Sequence, residues 1–536
     1  MGPLDPIRRL YRSMRAGPAA APDVSARQAA IAVAAVEAPA GPAPAAAPAG
    51  LTVPRLLDAR AAAMPDHTPL AVLTEPGLSY ADWLAKSSAA AAGLAAAGCG
   101  TGTRVALLYD GLDWLDYAIA YMAVLRCGAT VLHMNAHMAD AEILRRLAEC
   151  ECSWIVHSAF VAAPAGFAGR VSTVADLAAR ATGNFVAPAI AADAIAEIRY
   201  TSGTTGSAKG YLVSHANLTY GRTLDTMQEL ARASRMLVPM TLGSSTSATI
   251  LTIAATSAVQ MVLCSPLDIE RMGELIESEK ISAFMLTPHI AGDVIESRLH
   301  ERYDLSSVRL VASASSLLSP PVAEALLAMM PGATLQIACA QSEASPALLT
   351  HTFDPARPFC VGKPSPATEA CIVGADNAEL PRGQIGELWL RTPAPKRLFL
   401  AAPAVNAQLL EDGWYRTGDL ARMNEDGSVE FFDRRVDALT RDGHLISSIH
   451  MESSFRRQPG VRDAAIVAVP GRDGAGRIVA FVVLRDPNGL PALRDSLREA
   501  LPPQHYPDAF IAVSALPRTQ NGKVLKRQLR LHSGIR

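Results

Sequence analysis

The chain has 536 residues, half of them hydrophobic and 19% charged, with a formal net charge of −2. That length exceeds what a single core serves and suggests roughly three or four domain-sized units. A nearly neutral chain offers no electrostatic footprint for nucleic acid or an anionic membrane surface, so a small-molecule partner is expected.

Residues 1–50 are dominated by Ala, Pro and Gly, as in "EAPAGPAPAAAPAG" from Glu37 to Gly50. Alanine and proline bring too little apolar surface to offset chain entropy, so a solvated tail is expected. Its basic start, "IRRLYRSMR", lacks the apolar stretch of a secretory signal. From Leu51 the pattern becomes regular: "RVALLY" (Arg104–Tyr109) reads as a buried strand and "WLDYAIAYMAVLRCG" as a helix ending at Gly128. "ATVLHM", "DAEILRRLAECE" and "SWIVHS" continue as strand, helix and strand. Such alternation means βαβ units and a mostly parallel sheet covered by helices. "GCGTGTRVA" (Gly98–Ala106) precedes a strand instead of following one, so it reads as a turn and not a dinucleotide fingerprint.

The apolar run "ATILTIAATSAVQMVLCS" (Ala248–Ser265) is broken by Thr, Ser and Gln, which predicts a buried helix leading into a strand and no transmembrane segment. The eight cysteines form no framework, and the close pair Cys150 and Cys152 has no second pair to complete a zinc site. Free thiols and a cytoplasmic location are expected. Past about Asp437, "DAAIVAVP", "RIVAFVVLRD", "PALRDSLREAL" and "AFIAVSALP" read as a compact α+β module of about a hundred residues.

One stretch has no core-forming or helical pattern: "RYTSGTTGSAKG", Arg199–Gly210. Gly203, Gly206 and Gly210 let the backbone approach a ligand. Thr201, Ser202, Thr204, Thr205 and Ser207 offer hydroxyl donors, and Lys209 adds a positive charge. The loop is suited to phosphates, but it is not the P-loop of NTPases. That motif needs Gly before the lysine and Ser or Thr after it, and here Ala208 precedes and Gly210 follows.

"YTSGTTGSAKG" resembles the signature loop of the adenylate-forming superfamily of acyl-CoA synthetases, luciferases and peptide-synthetase adenylation domains. Three further segments match in the family's order, most closely that of acyl-CoA ligases: "GWYRTGDLARMNEDGSVEFFDRRVD" (Gly413–Asp437), "DGHLISSIHMES" (Asp442–Ser453) and "LPRTQNGKVLKRQL" (Leu516–Leu529). The resemblance implies an α/β fold: a large N-terminal body of mixed and parallel sheets covered by helices (51–435) and a small mobile C-terminal α+β domain (436–536). It implies attack of a carboxylate on the α-phosphorus of ATP, giving acyl-adenylate and pyrophosphate. Transfer to a thiol follows, on CoA or on the phosphopantetheine of an acyl carrier protein.

The resemblance also implies residue roles. The loop from Thr201 to Lys209 cradles the β- and γ-phosphates, Asp419 accepts from the ribose hydroxyls, and Arg434 supports the same ribose. Lys523 neutralises charge at the α-phosphate. "CAQSEAS" (Cys339–Ser345) matches a segment in which Cys339, Gln341 and Ser342 line the nucleotide and Glu343 holds Mg²⁺. Gly443 is the close-approach glycine of the thiol-side loop. Leu242, Gly243, Ser244 and Ser245 with Ser313 and Ser315 are expected as walls of the acid pocket, whose hydroxyls favour a modest, partly polar acid.

Four departures stand out. Cys339 replaces the aromatic residue that flanks adenine; "ASASSLL" (Ala312–Leu318) replaces Gly-Gly-Ala-Pro; Leu242 takes a position often held by histidine. Val436 occupies the hinge, where aspartate or lysine is usual, and its β-branch restricts the backbone. Two other outcomes stay open: an amine or other nitrogen acceptor in place of the thiol, and a chain that binds nucleotide with weakened turnover. Retention of Lys209, Glu343, Asp419, Arg434 and Lys523 together argues against the latter.

Overall fold

The computed structural model describes residues 50–532 except 73–75, 112, 182, 184, 202–207, 223–234, 258, 314–315, 471–475 and 520–521. Among the described residues two large sheets form the body. A seven-stranded sheet is built around Arg104–Tyr109, flanked by Thr130–Asn135 and Trp154–His157, all parallel. The helix Trp114–Arg126 crosses between the first two and is buried on almost every face. Burial on nearly all sides matches its largely apolar sequence.

The direction of this sheet reverses at the glycine-hydroxyl loop. Ile195–Tyr200 runs parallel to Thr130–Asn135, but Gly210–Ser214 returns antiparallel beside it, pairing Tyr200 with Gly210. The loop is therefore the connection of an antiparallel pair. The strand ends in a short helix, His215–Thr219, capped by Ser214.

The twelve-stranded sheet has two halves of different character. From Leu70–Ala71 to Thr334–Cys339 neighbouring strands are parallel. At Thr334–Cys339 the pairing turns antiparallel, Cys339 opposite Leu349, and it continues so to Glu369–Val373. Tyr415–Met423 shows the alternation of a half-buried strand, with Tyr415, Thr417, Asp419 and Ala421 turned inward. The run Ala248–Ser265 is a buried helix, Ser245–Thr256, followed by the strand Gln260–Cys264.

The smaller C-terminal domain has a core of its own, with Leu439, Met451, Phe455, Ile466, Ala480 and Leu497 packed together. It contains a two-stranded hairpin (Leu439–Arg441 with His444–Ile446), a three-stranded sheet and the helices Ser448–Arg456, Leu490–Ala500 and Lys526–His532. Among the described residues no helix is long and apolar enough to cross a membrane, and all eight cysteines are free.

Candidate active site

The mouth of the glycine-hydroxyl loop is closed by its own backbone. The Thr201 N–H donates to the Lys209 carbonyl at 3.0 Å, and the Lys209 N–H donates to the Thr201 hydroxyl at 3.2 Å. Ser202, Gly203, Thr204, Thr205, Gly206 and Ser207, expected to touch phosphate, lie outside the described residues.

The antiparallel ladder of the larger sheet brings the second group together. Asp419 and Arg434 are register partners on adjacent strands, and the Arg434 Nε sits 2.8 Å from the Asp419 Oδ1. This contact lacks the alignment of a hydrogen bond, so Oδ1 keeps an unspent acceptor although Asp419 is only 4% exposed. The other oxygen accepts from Gln341 Nε2 at 2.6 Å, and the same amide nitrogen donates to the Thr417 carbonyl at 3.2 Å. Burial raises the Asp419 carboxyl, opposed by Arg434, the Gln341 bond and Lys523. An oriented, buried carboxylate with one free lone-pair direction suits a neutral hydroxyl donor such as a ribose.

Lys523 reaches this group from the small domain. Burial and the Arg434 charge lower its ammonium, while Glu343 and Asp419 pull it back up. Burial pushes the Cys339 thiol up to about 12, with Asp419 adding to the rise, so it stays protonated. Cys339, Glu343, Asp419, Arg434 and Lys523, drawn from separated segments, thus share one electrostatic neighbourhood.

A tight reversal presents the lysine. The Thr519 N–H donates to the Lys523 carbonyl at 2.9 Å and the Lys523 N–H to the Thr519 hydroxyl at 3.2 Å. Gly522 between them has φ +79°, and a Cβ there would fall 2.5 Å from the His289 Cβ. Glycine is needed on both counts, conformation and space. Arg518 ties the turn down, donating to the Gly522 carbonyl and pairing with Asp463. Burial works to raise the Asp463 carboxyl, but Arg456 and Arg518 outweigh it and hold it low.

Two residues that sequence reasoning passed over brace the segment from Gln341 to Glu343. Arg397 donates from Nη1 to the Ser342 carbonyl at 3.1 Å and from Nε to the Asn217 Oδ1 at 2.8 Å. Asn217 donates in turn to the carbonyls of Ser345, at 3.0 Å, and Pro395, at 2.8 Å. Burial draws the Arg397 guanidinium down to about 10. Arg397 and Asn217 are 180 residues apart. No local pattern marks such a pair. Glu343 lines a small cleft with Tyr415, Arg397 and Lys396. Among the described residues no cluster of three or more His, Cys, Asp or Glu side chains could hold a metal. Glu343 would offer carboxylate oxygen at this cleft, the ligand type that suits Mg²⁺ bound largely through substrate phosphates.

The expected acid-pocket walls have mixed orientations. Leu242 is fully buried and its carbonyl accepts from Asn135 Nδ2 at 2.7 Å. Gly243, φ +73°, presses so closely on Met134 that a Cβ would fall 2.3 Å from that backbone. Ser244 caps the helix Ser245–Thr256, and the Ser245 hydroxyl donates to the Tyr200 carbonyl at 2.9 Å. Ser313 is buried with a hydroxyl that has no hydrogen-bond partner among the described residues, and Ser315 lies outside them. Val436 is 63% exposed. Gly443, φ +76°, has open space where a Cβ would stand.

The family described as AMP-binding enzyme matches residues 57–398, and its C-terminal domain matches residues 450–523. The chain is 29% identical over 494 residues to 4-coumarate–CoA ligase 5 of Oryza sativa subsp. japonica, covering 85% of this chain and 90% of that protein. Its fold is similar to that of ATP-bound MatB from Rhodopseudomonas palustris, with a TM-score of 0.78 and 23% identity over 90% of this chain and 98% of that one. It is likewise similar to the amide bond synthetase McbA from Marinactinospora thermotolerans, with a TM-score of 0.74 and 24% identity over 89% of this chain and 99% of that one.

Proposed function

Because the chain belongs to the AMP-binding enzyme family, we propose that it activates a carboxylic acid with ATP and passes the acyl group to a thiol, as an AMP-forming acid–thiol ligase. A carboxylate oxygen bonds to the α-phosphorus, the α–β phosphoanhydride bond breaks, and pyrophosphate leaves with the electron pair. The thiol sulfur then bonds to the acyl carbon, AMP leaves, and the thiol proton passes to solvent.

The observation that carries this reading is the convergence of Lys523 with Asp419, Arg434 and Glu343. Asp419 would orient the ribose through its free lone pair, with the Arg434 charge opposing the effect of burial on that carboxyl. Lys523 would meet the negative charge that spreads over the α-phosphate in the transition state. Glu343 would hold Mg²⁺, which supplies charge neutralisation at the phosphates. The loop from Thr201 to Lys209 would hold the departing phosphates. CoA or a carrier phosphopantetheine is the acceptor we assign, approaching by way of Gly443. The eight free cysteines support a cytoplasmic setting.

The test uses purified protein with ATP, Mg²⁺ and 4-coumarate, 3-hydroxybenzoate or decanoate, with hydroxylamine trapping any adenylate as hydroxamate. Hydroxamate followed by CoA-dependent AMP release supports the reading. Release with an amine but not with CoA or a phosphopantetheinylated carrier would move the assignment to a nitrogen acceptor. No hydroxamate across a wider acid panel would leave a nucleotide-binding protein without turnover.

A further inference from the structure

One helix of the body, Pro288–Ser297, carries His289, Asp293 and Glu296 on a single face, since residues three and four apart stack along a helix. That face meets the small domain at each of these positions. Gly522, beside Lys523, sits against His289. Arg462 lies 4.0 Å from Asp293. Arg485 grips Glu296 with both terminal nitrogens, at 2.5 and 2.6 Å. The neighbouring helix Pro320–Met329 contributes Glu324, held the same way by Arg457 at 2.8 and 3.0 Å. All three arginines come from the small domain and all three carboxylates from the body, so each pair spans the hinge at Val436.

We propose that Arg457 and Arg485 are positioning residues for adenylation: by clasping Glu324 and Glu296 across the hinge they hold the small domain where Lys523 enters the site. The inference rests on the function proposed above, because only a two-step ligase needs one domain pose for the acid and another for the thiol. The pairs are half-exposed, with Arg457 and Arg485 at 50% and 48%, so neither domain needs them for its core. Their geometry is nonetheless better than that of an ordinary surface contact. Both are two-pronged, and the Arg485 Nε is already fixed by the Pro459 carbonyl at 3.1 Å. Rotation about Val436 parts every one of these contacts at once, so their whole free energy bears on the balance between poses. An exposed pair of good geometry shifts such a balance by roughly two- to fivefold, and two of them by about tenfold. The Val436 side chain offers no polar group to hold either pose, and the clasp adds to the bonds that Ser448 and Ser447 make to Asp433 and Phe432 beside it.

The test measures pose directly in the full chain, without substrate. Nitroxide labels at Leu267→Cys on the body and Asp495→Cys on the small domain report the distance between them by pulsed electron spin resonance. The expected ratio of the pose described here to all others falls about tenfold in Arg457→Glu/Arg485→Glu. It returns when Glu324→Arg and Glu296→Arg are added, and it falls in the parent as NaCl rises from 0.05 to about 1 M, where the screening length shrinks to about 3 Å. An unchanged ratio in the double variant, or no recovery on reversing the charges, overturns the clasp. In parallel, hydroxamate formation from 4-coumarate should fall in the double variant while thioester formation from synthetic coumaroyl-AMP does not; an equal fall in both would also overturn it. If the parent makes no hydroxamate from any acid, the proposed function fails, and the distance ratio still decides the clasp.

Discussion

Asp433 and Ser448 meet where the body joins the small domain: the Asp433 carboxylate, on the last strand before Val436, accepts a hydrogen bond from the Ser448 N–H at 2.6 Å. Ser448 opens the helix Ser448–Arg456 of the small domain, so a carboxylate of the body sits at that helix's positive end. Ser447 reinforces the junction by donating to the Phe432 carbonyl at 2.6 Å.

This junction titrates. Burial raises the Asp433 carboxyl to about 6, against the pull of Lys526 and of the Ser448 bonds. Its folded value lies above the unfolded one, so between about pH 4 and 6 the native state binds more protons than the unfolded chain. The group's contribution to stability therefore falls as pH rises through that window and is flat above it. Asp433→Asn should remove this component. Urea midpoints of parent and variant, compared from pH 4 to 7, are expected to diverge in that interval and run parallel above it; parallel curves throughout would refute the assignment.

Lys523→Ala should cut adenylate formation by about a hundred- to a thousandfold, the usual cost of losing one preorganised donor to a charged transition state. The same variant should still convert synthetic acyl-AMP to thioester, because the role proposed for the lysine ends with adenylation. Hydroxamate yield and thioester yield, measured side by side, check both halves.

Asp419→Ala should weaken ATP binding by roughly ten- to a hundredfold, since a charge-assisted hydrogen bond is worth about 1.5–3 kcal/mol. The loss should be much smaller for a nucleotide lacking both ribose hydroxyls. Equilibrium dialysis with labelled ATP and its dideoxy analogue measures the difference, and equal losses for the two would remove the ribose role.

A prediction about stability concerns Glu197, fully buried between Tyr121, which donates to it at 2.6 Å, and Arg199. Burial works to raise its carboxyl, but Arg199 and His133 outweigh burial and hold it below the ordinary range. Glu197→Gln leaves the Arg199 guanidinium without its buried counter-charge, a change that costs about 3 kcal/mol or more. Thermal scans should show an apparent melting point lower by several degrees. Among molecules that remain folded, ATP binding should be unchanged.

Much of the architecture is legible in the chain. Arg104–Tyr109, Thr130–Asn135 and Trp154–His157 are short apolar runs bounded by turns, which is how fully buried parallel strands read. The antiparallel half of the larger sheet is harder to see. Its strands carry polar residues inward, as Thr417 and Asp419 show, so the hydrophobic alternation is interrupted although the burial alternates. Lys523, Asp419 and Arg434 could be named from motifs, but not the contacts that seat them. Arg397 with Asn217 and Arg485 with Glu296 join common residue types across 180 and 189 positions, and nothing in either local stretch marks its partner. The serines expected to line an acid pocket are legible as hydroxyls, but Ser244 and Ser245 direct theirs to the backbone, which composition cannot show.

The tether between Asn135 and Leu242, with Gly243 wedged against Met134, bears on how this protein could be redirected to a new acid. The segment proposed to face the acid is riveted to the neighbouring sheet, so exchanging side chains in it one at a time would strain the strand Thr130–Asn135 as well. Libraries that vary residues 134–135 and 242–244 jointly should yield altered preferences more often than libraries confined to the loop.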